Sequence, residues 1–240
     1  ARMPALKAWA ALSESEIGRL LLAPGISAVQ MIAASSRLVA RFGSRRILAA
    51  GVLSAAAGLV TAAGAADCCC LAAAFVLFGL AEGLWDVAVN VQAMSGQRRW
   101  NPRVMLIMHA LYNAGSAVAG ALFAAFGLSV AVHYPVAAGL YGLCAFGAYA
   151  GLIDDAAAHA AEEGAERRFK LAPVVWIFGL MAACAYAAEG ALAEWGVLVL
   201  MTKGAGEDAA APAFAAFAAA AALSAVSSAS SCGGASQRVC

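Results

Sequence analysis

The sequence predicts an all-α protein, a polytopic bundle of membrane-spanning helices, and three observations predict it. Of the 240 residues, 64% are apolar and only 12% are charged, with a mean hydropathy of +0.82. Soluble domains are nearer half apolar and a quarter charged. Apolar stretches long enough to cross a bilayer as helices, about 20 residues each, recur seven times along the chain. Lys and Arg collect in alternate connectors between them. Helices rather than strands follow from the length of the stretches, and from the need of every backbone group in lipid for a partner within its own segment.

The spans are expected near 17–36, 47–66, 71–94, 104–126, 131–153, 172–200 and 209–226. The connector after the first holds Arg37, Arg41, Arg45 and Arg46. That after the third holds Arg98, Arg99 and Arg103, and the longest, 154–171, holds Arg167, Arg168 and Lys170. With Arg238 in the tail, these fall on one side if the spans alternate. Only Arg2, Lys7, Arg19 and Lys203 fall on the other, so the arginine-rich side is placed in the cytoplasm and residues 1–16 begin outside. Gly51 with Ala55, Ser116 with Gly120 and Gly147 with Gly151 have the four-residue spacing that lets helices approach closely. From about residue 227 the chain turns small and polar without periodicity, and 227–240 is expected to be a disordered tail.

The lipid bilayer is therefore the first partner. A formal net charge of +1 supplies no basic excess for nucleic acid, which is not expected as a partner. Seven cysteines include the run Cys68–Cys70 but no paired CxxC motifs and no CxxC with a His pair, so no zinc site, disulfide framework or cofactor is expected. The first residue is Ala, and no basic segment with a cleavage site follows it, so the chain is expected to be a piece of a longer protein.

Residues 79–92, GLAEGLWDVAVNVQ, place Glu82, Asp86 and Asn90 inside the third span. An ionised acid near the bilayer centre costs about 2.5–3.5 kcal/mol on insertion scales. Residues four apart drift only about 40° around a helix, so the three form one polar stripe. It must meet protein or water: as an interhelical hydrogen-bond cluster, or as the lining of an ion or substrate path. The fourth span has its own stripe in His109, Asn113, Ser116 and Gly120. Counting back from the loop 95–103 sets Asn90 level with His109 and Asp86 level with Asn113, which argues for a shared cavity. In the sixth span Glu189 lies about 26 Å from Ala172 along an unbroken helix. Gly190 and Gly196 offer places for that helix to break and bring Glu189 into a cavity. Glu194 with Trp195 suits an anchor at the outer interface.

The stretch LVARFGSRRIL after the first span resembles the cytoplasmic loop motif of the major facilitator superfamily, which follows the second of twelve helices. Arg41, Gly43, Arg45 and Arg46 match it, while Ser36 and Ala40 stand where the motif has Gly and Asp. WDVAVNVQ followed by HALYNAGSAVAG is similar to the fucose-permease-like branch. There an acid precedes an Asn by four in helix four, and a polar residue precedes a Gly by six in helix five. Asp86 with Asn90, and His109 with Gly115, occupy those places. AEGALAEWGVLVL resembles helix seven of bacterial transporters in the branch.

The resemblance implies that about seven of twelve spans are present, helices two to eight. Residues 1–153 would be an N-terminal half lacking its first helix, 154–171 a cytoplasmic linker and 172–226 the start of the second half. It further implies a multi-pass protein of the bacterial inner membrane. Its function would be secondary transport of a small polar, sugar-like solute by alternating access, with a proton as the coupling ion. Asp86 would be the protonatable or substrate-binding acid, with Asn90 and His109 as hydrogen-bonding groups. A multidrug or metabolite exporter of the same superfamily, and a truncated fragment without activity, are the alternatives. An intramembrane enzyme using His109 with Glu82 or Asp86 has no nucleophile motif or metal spacing to support it, so the protein is not expected to be an enzyme.

The alternation makes a direct prediction. Cysteines substituted at Arg41 and Arg99 should react with an impermeant maleimide from the same side of the membrane, and labelling from opposite sides would sink the topology.

Overall fold

The computed structural model describes residues 3–155 and 173–231. Among the described residues there are eight helices and no strand: α1 (Met3–Trp9), α2 (Glu14–Phe42), α3 (Ser44–Ala63), α4 (Cys68–Arg99), α5 (Val104–Phe126), α6 (Val130–Tyr149), α7 (Pro173–Thr202) and α8 (Glu207–Ser231). The protein is an all-α polytopic membrane bundle. Among the described residues, five helices are long and apolar enough to cross a membrane: α2, α3, α4, α6 and the Pro173–Ala193 part of α7. The other two expected spans correspond to α5 and α8. Their apolar stretches among the described residues, Val104–Ala119 and Ala215–Ser224, are shorter.

Two expectations meet a different outcome. α7 runs unbroken through Gly190 and Gly196, since isolated glycines lower helix stability by only about 1 kcal/mol each and a 30-residue apolar helix absorbs that. α8 continues to Ser231, so 227–231 extend the helix where a structureless tail was expected to begin. Alanine, the strongest helix former, leads into those serines. Residues 232–240 of the expected tail, and 156–171 of the expected linker, lie outside the described residues.

Local chemistry sets the helix ends. Ser13 begins α2 with a reciprocal cap: its hydroxyl accepts from the Glu16 N–H, and the Glu16 carboxylate accepts from the Ser13 N–H at 2.8 Å. Lys7 of α1 pairs with Glu14 at 3.2 Å. Asp67 caps α4 by accepting the Cys70 N–H at 2.7 Å. That bond holds the Asp67 carboxyl below its ordinary range. Gly43 alone joins α2 to α3, at φ 81°, a backbone conformation that costs a glycine little.

The chain divides into two compact units. The larger contains α2, α3, α4 and α6; α4 packs against both α2 and α3, and α6 packs against α3. Missing side chains make these contacts possible. A Cβ at Gly79 would collide with the Pro24 carbonyl oxygen and the Ser27 hydroxyl of α2, and one at Gly83 would lie 2.5 Å from the Ala28 oxygen. On the other side, a Cβ at Gly51 of α3 would lie 2.9 Å from the Trp85 nitrogen, and one at Gly58 would lie 3.2 Å from the Phe78 nitrogen. The buried Ser35 hydroxyl donates to its own helix at Met31 and across to the Gly83 carbonyl at 2.9 Å. Leu22, Ile26 and Val29, spaced to share one face of α2, are exposed where lipid would cover them. In the smaller unit α7 packs on α8. There α5 and α8 line an apolar cavity of about 370 Å³ with Leu106, Ile107, Ala110, Leu111, Ala114, Ala222 and Leu223.

Gly79→Ala should therefore lower the melting temperature in detergent, by an overpacking cost of about 1–3 kcal/mol. Gly139→Ala on α6, where an added Cβ meets nothing within 4 Å, should be neutral or stabilising. Equal effects of the two substitutions would contradict the α2–α4 contact. Asp67 generates a pH dependence. Its folded pKa is depressed, so the cap contributes above the unfolded carboxylate pKa and is lost as pH falls through the folded value. Exchange of the Cys70 amide, corrected for intrinsic rate, should accelerate on acidification across that window, and Asp67→Asn should remove the dependence.

Candidate functional site

Helix α4 packs against two neighbours. Gly79 and Gly83 face α2; Ala74, Phe78, Ala81 and Trp85 face α3. Around the helix Glu82 and Asp86 fall between the glycine row that meets α2 and the row that meets α3, Asp86 only about 20° from Gly79 and Asn90 as close to Gly83. Both acids are nevertheless exposed, while Asn90 is half-buried. The Asn90 amide donates to the Asp86 carbonyl at 2.8 Å and lies 3.4 Å from the Asp86 carboxylate, so the structure brings this pair together.

On α5, His109 is exposed and Asn113 half-buried. The Asn113 amide donates to the His109 carbonyl at 3.1 Å, and the Ser116 hydroxyl donates to the Tyr112 carbonyl. His109 and Asn113 lie in the row next to Ala110 and Ala114, so they flank the apolar cavity rather than line it. Glu189 is exposed on the continuous α7. Glu82, Asp86 and Asn90 belong to the larger unit, and His109, Asn113 and Glu189 to the smaller.

The loop motif surrounds the α2–α3 joint. Arg41 and Arg46 are exposed, with the Arg41 guanidinium 5.2 Å from the centre of the Phe42 ring. Arg45 lies over the Tyr149 ring at the end of α6, at 4.2 Å, a distance suited to a cation–π contact. Gly43 supplies the left-handed turn between the two helices.

Sequence reasoning missed a buried polar cluster beside this motif. The Asp155 carboxylate, just beyond α6, accepts from both the N–H and the hydroxyl of Ser44, the first residue of α3. The Gln92 amide of α4 donates to the Ser44 hydroxyl and to the Ile153 carbonyl, each at 2.7 Å, and accepts the Ile153 N–H at 2.9 Å. Ser44, Gln92 and Asp155 are all buried. The available signal was Gln92 itself, an amide in an apolar run close to the arginine-rich connector. Its partner Asp155 is far off in sequence. His133 of α6 is also buried, its ring edge-on to Tyr134 with centres 5.6 Å apart.

The chain is similar to known membrane proteins. It is 28% identical over 206 residues to the membrane protein MosC of Rhizobium meliloti, covering 83% of this chain and 49% of that protein. It is 26% identical over 202 residues to an uncharacterized transporter of Sinorhizobium fredii, covering 83% and 53%. An uncharacterized MFS-type transporter of Yersinia pestis is 28% identical over 116 residues, 48% of this chain and 30% of the relative. The chain thus spans about half the length of the first two relatives, 49% and 53%, and 30% of the third. No protein-family model matches the chain, and no solved structure does. Apolar helices and transporter relatives together make this a multi-pass membrane protein related to transporters.

Proposed function

We propose that the complete protein is a secondary active transporter of a small polar, sugar-like solute in the bacterial inner membrane, working by alternating access and coupled to protons. The observation that carries the reading is the exposure of the acids of α4. Glu82 and Asp86 are exposed on a side of a membrane-spanning helix, with Asn90 half-buried beside them. Lipid is a costly neighbour for an acid, so that side belongs against water or another part of the transporter. Asp86 is the proton- or substrate-binding acid, and Asn90 orients it through the amide. His109 and Asn113 of α5 and Glu189 of α7 are further substrate- or proton-binding groups. Transporter relatives agree with this class, and the loop motif Arg41, Gly43, Arg45 and Arg46 agrees with a major facilitator of the fucose-permease-like branch.

A second reading, export of apolar compounds by the same superfamily, is favoured by the wholly apolar cavity between α5 and α8. Transport assays separate the two. In vesicles carrying the complete protein, an inward proton gradient should drive accumulation of a hexose from a radiolabelled panel. Export of an apolar dye without any sugar uptake would favour the second reading.

Proton coupling assigns Asp86 a sharper test. Asp86→Asn should abolish accumulation against a gradient, a loss of at least about tenfold, while leaving exchange of substrate across the membrane partly intact. Asp86→Ala should reduce both, because the site also loses a hydrogen-bonding group. Proton-driven accumulation at wild-type levels in Asp86→Asn vesicles would show that coupling resides elsewhere, with Glu82 or Glu189 next in line.

A further inference from the structure

The buried cluster of Ser44, Gln92 and Asp155 does more than fill space. Asp155 is only 6% exposed and Ser44 is fully buried. The first N–H groups of a helix have no partner within the helix, and the positive end of its dipole favours an anion. The Asp155 carboxylate meets both needs at the start of α3. Gln92 then pairs in both directions with the backbone of Ile153 and bonds Ser44 as well. Three separate pieces of chain, the start of α3, the inner part of α4 and the exit from α6, are joined through directional bonds. Apolar side chains of similar size would bury this region at lower desolvation cost, so a polar cluster here is a device for register rather than for stability alone.

The remaining contacts of α4 set how closely it meets its neighbours. At Gly79, Gly83 and Gly51 the nearest atoms are backbone, the Ser27 hydroxyl and the Cβ atoms of Met31 and Trp85, with the Ser35 hydroxyl bonded to the Gly83 carbonyl. The bonds of Gln92 add directional ties to α3 and to the exit from α6. Gln92 lies two residues from Asn90 and six from Asp86 on the same helix, about 3 Å and 9 Å along its axis.

We propose that Asp155 and Gln92 are positioning residues: through Ser44 and Ile153 they set the rotation and height of α4, and so the direction in which Asp86 and Asn90 point. The functional weight of this assignment rests on the reading of the α4 stripe as the transport site. The arrangement itself is measurable without transport.

The test uses the complete protein in lipid nanodiscs, with every native cysteine except Cys70 changed to Ser and Asn90→Cys added. Labelling by N-ethylmaleimide is followed at each site by mass spectrometry. Cys70 lies in the first turn of α4, at the opposite end, so it reports general loosening, and position 90 reports the orientation of the stripe. Asp155→Ala and Gln92→Leu should each change the labelling rate at position 90 about tenfold, equivalent to ~1.4 kcal/mol, with the rate at Cys70 unchanged. Asp155→Asn, which keeps an acceptor for the Ser44 N–H, should stay within about threefold of the parent. The double variant should do no more than either single one, because both break the same device. An unchanged rate at position 90 in both single variants overturns the proposal, and so does a parallel rise at positions 70 and 90, which would mark ordinary unfolding. If labelling behaves as expected but Asp86→Asn vesicles still accumulate solute, the site assignment falls and the positioning of α4 stands.

Discussion

At Gly79 and Gly83 the backbone of α4 comes against α2, and at Gly51 and Gly58 the backbone of α3 comes against α4. In a bilayer this closeness is the main source of cohesion between helices. Lipid tails are as apolar as leucine, so burial alone gives one helix no reason to leave lipid for another. Dispersion between closely fitted surfaces and a few interhelical hydrogen bonds, such as that from Ser35 to Gly83, take over. A single methyl group in the wrong place separates the surfaces and forfeits much of that attraction. Glycines therefore settle which two sides of α4 are occupied.

Polar groups in this chain follow two rules. Those without a distant partner to reach turn back on their own helix, as the amides of Asn90 and Asn113 do toward carbonyls one turn earlier. Those at the arginine-rich end cross between helices, where Asp155, Ser44 and Gln92 interlock and Arg45 rests on Tyr149. The cross-helix cluster is at one end of α4, whereas the acids lie nearer its middle. The buried cluster and the acids thus share one helix, separated by about two turns.

Much of this was legible in the sequence because period and spacing are local properties. The apolar runs located the helices to within a few residues, and the four-residue interval between Glu82, Asp86 and Asn90 placed them on one side of α4. Small-residue spacing was a poorer guide. Gly51 with Ala55 does lie in a helix contact, but a Cβ at Gly147 meets nothing within 4 Å. The pair that mattered most on α4, Gly79 and Gly83, has the same spacing and was overshadowed by the acids beside it. In a chain rich in alanine and glycine, spacing cannot say which repeat meets a neighbour. The Asp155–Ser44 bond was out of reach for a different reason. Its partners are 111 positions apart, and nothing near either residue specifies the other.

The joint between α2 and α3 has one residue, Gly43, and both flanking residues are already helical. A hairpin with so little slack behaves mechanically like a bell crank. Tilting one arm must swing the other, since no spare chain exists to absorb the displacement. Lengthening the joint by even a few flexible residues would uncouple the two arms without disturbing a single contact along their lengths.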